Sequence, residues 1–116
     1  MANDFVWAIK NGEMDRVKAL APKNDLNKEL LNGRMAIHFA ADYGQADVIS
    51  YLAEKGANVN VPDKHGITPL LSAIYEGHAD CVKLLIKLGA KKDGKAPSGD
   101  SYIDCAETDE VREALK

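Results

Sequence analysis

The 116-residue sequence lacks the features that mark several common classes of protein. It has two cysteines, Cys81 and Cys105, which are too few for a disulfide framework and favour a reduced, cytoplasmic protein. No apolar run approaches the roughly 18 residues that span a bilayer, so we expect no transmembrane helix. The first residues have neither a basic start nor an apolar stretch, so we also expect no signal peptide.

Enzyme signatures are absent as well. The sequence has no Gly-rich phosphate loop and no Gly-x-Ser-x-Gly elbow, and neither cysteine has an obvious base partner. His78 and Cys81 would share one helical face, but a structural zinc site needs four ligands, so metal binding is the minority interpretation. We therefore expect no enzyme, no cofactor and no metal.

Composition and charge indicate one ordinary soluble domain. Hydrophobic residues make up 46% of the chain and charged residues 28%. The formal net charge of −3 argues against nucleic acid or an anionic membrane as the main partner. A basic stretch at 83–95 precedes an acidic stretch at 100–113; solvated helix ends explain this pattern, and a charge-steered protein partner is the alternative. We expect a monomer because the ends of the chain are charged.

What the sequence does contain is an internal repeat with a period of 33 residues. Gly33, Gly66 and Gly99 follow this period. Further sets at the same step are Asn27, Asn60 and Asp93; Ile37, Leu70 and Ile103; and Ala40, Ala73 and Ala106. The N-terminal segment joins with a one-residue deletion, which pairs Ala8, Gly12 and Asp15 with Ala40, Gly44 and Asp47.

Each unit predicts two short helices followed by a turn. The second helix of one unit carries an apolar stripe, composed of Val48, Ile49, Leu52 and Ala53. Gly56 and Gly89 are placed to end the second helices, and 58–66 is rich in turn formers. Helices this short are stable only when stacked on neighbours, so the pattern predicts a solenoid.

These units resemble the ankyrin repeat. The stretch at 68–73, Thr-Pro-Leu-Leu-Ser-Ala, matches the family's Thr-Pro-Leu-His-x-Ala with leucine in place of histidine, and His38 and Ala40 keep the pattern one unit earlier. The resemblance implies an all-α solenoid of stacked helix pairs with projecting β-turn or hairpin loops. We place one domain at 1–116, divided into an N-terminal capping repeat, two full repeats and a C-terminal cap at 1–33, 34–66, 67–99 and 100–116.

The segments at 5–12 and 62–78 are similar to the myotrophin family of small ankyrin proteins. That resemblance implies a non-catalytic protein-binding module of the cytoplasm, and also of the nucleus. It would bind the F-actin capping protein α/β heterodimer and inhibit barbed-end capping. Binding of Rel-type (NF-kappa-B) dimers is the alternative, and a scaffold with no natural partner is a third.

The ankyrin architecture also implies where a partner binds, because first helices line a concave face and turns project from one edge. Residues without core duty there are Trp7, Lys10, Asn11, Asn32, Arg34, Asp42, Tyr43, Lys64, His65, Ile67, Tyr75 and Glu76. We expect Asp42 and Glu76 to meet basic residues of the partner. Trp7 is either an apolar anchor or a residue that packs over the end of the solenoid.

Other polar residues fit structural roles. In the ankyrin resemblance, His38 occupies the position whose side chain hydrogen-bonds neighbouring turns and ties repeats together. Thr68 and Ser101 are placed to cap helices, and Asp63 to cap or brace a turn. We expect both cysteines to be buried as small hydrophobic residues.

Overall fold

The computed structural model describes residues 4–116, which form eight α-helices arranged as four pairs. The pairs are α1 Asp4–Lys10 with α2 Met14–Leu20, α3 Ala36–Asp42 with α4 Ala46–Glu54, α5 Pro69–Tyr75 with α6 Ala79–Lys87, and α7 Tyr102–Cys105 with α8 Asp109–Leu115. A 3-10 helix, Ala21–Lys23, follows α2. The predicted all-α class with stacked helix pairs is confirmed.

The four pairs fall inside the segments 1–33, 34–66, 67–99 and 100–116, although the unit boundaries themselves stay a prediction. The signal-peptide prediction and the start of the first unit rest partly on residues 1–3, which lie outside the described residues. Within residues 4–116, none of the helices has the length and apolar character that a membrane crossing requires.

The helices stack in two parallel rows. In one row α3 packs against α1 and α5, and α5 packs against α7; in the other, α4 packs against α2 and α6, and α6 against α8. The longest helices have nine residues, too few for stability in isolation. The rows bury one continuous hydrophobic core along a body of 38 × 24 × 20 Å. Each helix pair therefore depends on its neighbours.

The predicted apolar stripe on α4 is confirmed. Val48, Ile49 and Leu52 are buried, and Ala53 is half-buried at the edge of the stripe. Gly56, with φ of 99°, follows the end of α4 in the left-handed conformation that a glycine adopts without strain. The period of the sequence thus predicts both the buried face of the helix and the place where it ends.

Side chains from one unit fill the space beside glycines of the preceding unit. His78 Nε2 donates a hydrogen bond to the carbonyl oxygen of Asp42 at 3.0 Å, and Gln45 Nε2 donates to Lys10 O at 2.9 Å one unit earlier. A Cβ atom on Gly44 would lie 2.9 Å from the His78 ring. These positions need glycine both for their positive φ and for this close approach.

In two successive units, one asparagine side chain makes the same two hydrogen bonds to the loop of the next unit. Asn27 accepts a hydrogen bond from Asn58 N at 2.7 Å and donates one to Gly56 O at 3.0 Å. Asn60 makes the same two bonds one period later, from Lys91 N at 2.8 Å and to Gly89 O at 3.1 Å. An asparagine amide can donate and accept at once. Asp93 is the third residue at this period. Its carboxylate has no N–H group, so it cannot donate the second of these two hydrogen bonds.

His38 ties two units together, as predicted. Its buried ring accepts a hydrogen bond from Met35 N at Nδ1 (3.0 Å), and Nε2 donates to Ile67 O of the next unit at 2.9 Å. This pattern requires the neutral tautomer with hydrogen on Nε2. Burial lowers the pKa of His38 from its ordinary value of 6.5, and the positive charge of Arg34 lowers it further, against the opposing effect of Asp63.

The cap predictions are confirmed too. Thr68 Oγ1 accepts from Leu71 N at 3.3 Å at the start of α5 and also hydrogen-bonds the Tyr102 hydroxyl at 2.9 Å. Ser101 Oγ accepts from Asp104 N at 3.4 Å at the start of α7. The hydrogen bond to Tyr102 could not be predicted from the local capping pattern, because it joins residues 34 positions apart.

The two cysteines differ. Cys81 is buried as predicted, and burial raises its thiol pKa to about 11. The prediction of burial is wrong for Cys105, which is half-buried. It lies in the four-residue helix α7, and its thiol and the Tyr75 hydroxyl affect each other's pKa.

The shifted pKa of His38 predicts how stability depends on pH. The pKa of His38 is higher in the unfolded chain than in the folded protein, so the neutral ring stabilises the fold. This contribution to the free energy of unfolding is complete above about pH 6.5. It is lost as the pH falls through that value toward the lower pKa of His38 in the folded protein. We expect the free energy of unfolding in urea to decrease between pH 7.5 and 5. His38→Gln should flatten this slope, whereas His65→Gln, at an exposed turn, should keep it. Equal slopes in all three proteins would contradict the prediction.

The shared hydroxyl of Thr68 gives a second prediction. Thr68→Val should lower the free energy of unfolding by about 1–2 kcal/mol, because both the helix cap and the bond to Tyr102 are lost. Thr68→Ser keeps the hydroxyl and is the matched control, with a smaller loss. Urea denaturation followed by circular dichroism measures both. A valine variant as stable as the serine variant would show that the hydroxyl contributes nothing.

Candidate protein-binding surface

Eight of the twelve candidate residues line one open groove of about 370 Å³ between the turns and the first helices. We call this the central groove. Its lining residues are Asn32, Arg34, Asp42, Asp63, Lys64, His65, Ile67, Ser72, Tyr75 and Glu76. Asp63 and Ser72 belong to the groove without having been proposed as site residues. The other four candidates, Trp7, Lys10, Asn11 and Tyr43, do not line it.

One rim of the groove is a hairpin turn. Asn32 and Gly33 have φ of 55° and 75°, and Leu31 pairs with Arg34 across them in an antiparallel bridge. Asn-Gly is the strongest sequence signal for this two-residue turn. The Lys64 side chain lies over Gly33, where an added Cβ would be 2.4 Å from its Cδ atom. Asn32 is exposed and outside the hydrophobic core, and it also forms this turn.

The next turn is held by Asp63. Its Oδ1 accepts hydrogen bonds from His65 N at 2.8 Å and Ile67 N at 3.0 Å, which confirms the predicted brace. The brace leaves Lys64 and His65 exposed at the tip of the turn and Ile67 half-buried against the core. The turn therefore presents two polar side chains on a fixed backbone.

Arg34 crosses the floor of the groove and joins its two sides. Nη2 donates to Ser72 Oγ at 3.0 Å, and the guanidinium lies 3.6 Å from carboxylate oxygens of both Asp42 and Asp63. It also lies over the Phe39 ring, 5.2 Å from the centroid. The side chain is 20% exposed. Arg34 thus lies outside the hydrophobic core but holds the floor of the groove together.

These contacts change the expected roles of the acidic residues. Asp42, which we expected to meet a basic residue of the partner, already lies beside Arg34 and is partly buried. Glu76 is exposed at the same edge, next to Tyr75, whose side chain is 44% exposed. Burial raises the pKa of the Tyr75 hydroxyl, and so does the neighbouring Cys105 thiol, so the hydroxyl stays protonated at neutral pH. A neutral hydroxyl and a carboxylate form this side of the groove.

The remaining candidates form a second exposed area nearer the N-terminus, the N-terminal patch: Trp7, Lys10, Asn11 and Tyr43. Tyr43 is 47% exposed, and Lys10 Nζ lies 5.1 Å from its ring centroid. Trp7 is 50% exposed, with the Arg16 guanidinium 5.9 Å from its ring. Asn11 donates a side-chain hydrogen bond to Trp7 O at 2.8 Å, so it also helps to end α1.

Trp7 and Arg16 are exposed at repeat positions that are buried in the following units. Trp7 corresponds by repeat position to Phe39 and Ser72, which are buried in the inner units at 4% and 2% exposure. Arg16 corresponds to buried Val48 in the same way. Sequence reasoning missed Arg16, although a charged residue at a position that is apolar in the next unit was the signal.

Chemically, these surfaces fit recognition of another molecule better than catalysis. The buried Cys81 thiol is protonated at neutral pH, and the His38 ring is committed to two backbone hydrogen bonds. Across residues 4–116, no group of three or more His, Cys, Asp or Glu side chains is arranged to hold a metal ion. Exposed aromatic and charged side chains on a rigid floor are typical of protein-binding surfaces.

The role of Arg34 predicts a loss of stability when it is removed. Arg34→Met should lower the free energy of unfolding by about 1–3 kcal/mol, because the Asp63 side chain, only 3% exposed, would lose its neighbouring cation. The matched control is Lys64→Met, which removes the same charge from the exposed turn and should change stability by less than about 0.5 kcal/mol. Urea denaturation at neutral pH compares them, and equal losses would contradict the assigned role.

Comparison with known proteins agrees with this architecture. The family model described as "Ankyrin repeats (3 copies)" matches residues 5–96. Myotrophin of Xenopus tropicalis is 50% identical over 56 residues, which are 47% of this chain and 48% of that protein. Ankyrin repeat and SAM domain-containing protein 6 of Rattus norvegicus is 35% identical over 104 residues, 87% of this chain and 12% of that protein.

A third relative is matched over a larger share of its own length. Protein phosphatase 1 regulatory subunit 27 of Mus musculus is 31% identical over 107 residues, 90% of this chain and 70% of that protein. The chain thus spans about half of the myotrophin and a smaller part of the SAM-domain protein. The family match covers most of the helix pairs described above. The chain therefore belongs to the ankyrin repeat family, as a protein-binding module with similarity to myotrophin.

Proposed function

We propose that this ankyrin protein binds the F-actin capping protein α/β heterodimer and thereby inhibits capping of filament barbed ends, in the cytoplasm and also in the nucleus. The observation that carries the proposal is the convergence of eight candidate residues on the central groove. The similarity to myotrophin over half of the chain supports the choice of partner. The proposal describes a non-catalytic protein, since inhibition would come from occupying the capping protein.

The exposed side chains of the central groove and of the N-terminal patch indicate which residues would contribute most to affinity. Tyr43, just after α3, and Tyr75, the last residue of α5, are nearly half exposed, and Trp7 is exposed on α1 in the same row. Large aromatic side chains with one polar group are enriched among residues that dominate binding energy. Glu76 is the best-placed acidic contact, because Asp42 already lies 3.6 Å from the Arg34 guanidinium. Arg34 would act by holding the groove in shape.

The first test measures binding to purified capping protein. We expect Trp7→Ala and Tyr43→Ala each to weaken binding by about tenfold, because each removes a large exposed aromatic group without touching the buried core. Glu76→Lys should weaken it at least as much, through lost attraction and new repulsion of basic residues. Isothermal titration calorimetry gives the affinities, and circular dichroism checks that the variants are folded.

A matched control separates local contacts from net charge. Glu107→Lys makes the same charge change as Glu76→Lys at an exposed residue between α7 and α8, so it should leave affinity within about twofold. Barbed-end elongation of fluorescent actin in the presence of capping protein should recover when the wild-type protein is added. No recovery, or unchanged affinity in all groove and patch variants, would contradict the proposal. Saturable binding to a purified Rel-type dimer instead of capping protein would favour the alternative partner.

A further inference from the structure

A second groove, of about 430 Å³, lies between the C-terminal end of α4 and the segment at 21–27 that follows α2. We call it the outer groove. Its lining residues are Ala21, Pro22, Asn24, Asp25, Leu26, Asn27, Tyr51 and Lys55. None of them lines the central groove or belongs to the N-terminal patch. The proposed binding of capping protein therefore leaves this surface unexplained.

The outer groove arises where the first unit departs from the repeat. The second helices α4 and α6 are followed by Gly56 and Gly89, both with positive φ. The first unit has no glycine there; the chain continues from α2 into the 3-10 helix Ala21–Lys23, and Asn24 is extended with φ of −128°. Asn24 Nδ2 donates to Leu20 O at 2.8 Å and so satisfies the helix end in another way. This altered helix end forms one wall of the groove.

Positive charge is concentrated at this groove. The ammonium groups of Lys18 and Lys55 lie 5.9 Å and 5.7 Å from the centroid of the Tyr51 ring, so two cations share one aromatic side chain. Asp25, the acidic residue in the lining, faces Lys28 at 3.9 Å and accepts a hydrogen bond from Asn27 N. Segments 18–28 and 51–55 together carry four lysines and two acidic residues, in a chain with a net charge of −3.

The lining also offers an apolar floor. Ala21 and Leu26 are buried at 4% and 9% exposure, and the Tyr51 ring is half-buried beside them. A volume of about 430 Å³ accommodates a few side chains of a peptide. An aliphatic side chain can occupy such a floor while carboxylates next to it meet the lysines at the rim.

We propose that the outer groove binds an acidic segment of a second partner protein. Carboxylates of that segment pair with Lys18 and Lys55, and one aliphatic side chain packs on Ala21 and Leu26. The single half-buried ring offers no row of stacking platforms for nucleic acid bases. The negative net charge of the whole chain disfavours an extended polyanion such as a membrane surface or RNA. A short acidic protein segment satisfies both the local charge and the volume.

The test uses the full chain, labelled with 15N, and a synthetic acetylated peptide that repeats Glu-Glu-Leu four times. We expect saturable changes of amide chemical shifts confined to residues 18–28 and 51–58, which weaken as salt is raised. Lys18→Gln combined with Lys55→Gln should reduce affinity about tenfold. Its own amide spectrum shows whether the variant is folded, so a loss of binding is not confused with a loss of structure.

The matched control is Lys83→Gln combined with Lys87→Gln, which removes the same charge from exposed positions on α6. It should bind the acidic peptide within about twofold of wild type. Equal losses in the two double variants would show non-specific attraction and overturn the proposal. So would the absence of saturable shifts, or shifts centred on the central groove.

Two further probes distinguish other anions. Inorganic phosphate and phosphatidylserine vesicles, each added alone, should not reproduce the shifts at residues 18–28 and 51–58. If either does so with the same sensitivity to the Lys18 and Lys55 substitutions, the groove is a general anion site and the proposed protein segment is wrong. None of these measurements involves capping protein, so their outcome is independent of the function proposed above.

Discussion

The buried junction between one first helix and the next turn is the constraint on which the rest of this structure depends. His38 joins Met35 N to Ile67 O, and Asp63 holds the same turn through two backbone N–H groups. Each of these groups would be costly to bury without a partner. Because the helices have at most nine residues, the stack forms only if these polar groups are satisfied between units. The backbone around the central groove is fixed by the same bonds.

The repeat does not give each unit the same surface. At equivalent positions the three first units have Trp7, Phe39 and Ser72. Phe39 supports the Arg34 guanidinium with its ring, and the small side chain of Ser72 accepts a hydrogen bond from it in the next unit. A large side chain in place of Ser72 would displace Arg34 from the floor of the groove. The side chain at this one repeat position therefore determines whether a charged residue such as Arg34 can form the floor of a groove, although the backbone is the same in each unit.

The period and local chemistry of the sequence, with the family resemblance, were sufficient to predict the fold and some of its polar contacts. Gly56 as a helix end, Thr68 as a cap and His38 as an inter-unit tie all follow from spacing or resemblance, and the structure has each of them. The duty of Arg34 could not be predicted in this way. Its partner Ser72 is 38 residues distant, and the contact depends on how two units stack. A residue that is not needed for the core of its own unit can therefore still connect that unit to the next one.

The two proposed binding grooves arise from the repeat in opposite ways. The central groove arises from repeated turns and contains Asp42, Asp63 and Glu76 against two cations. The outer groove arises where the helix end of the repeat is lost; Lys55 lines it, and Lys18 lies beside its Tyr51 ring. Electrostatic complementarity selects partners by sign and steers their encounter. Surfaces of opposite charge that share no residue can bind two different proteins at once, because neither partner needs the residues of the other. A solenoid permits this arrangement, since each unit contacts only its neighbours and a local departure leaves the remaining stack intact.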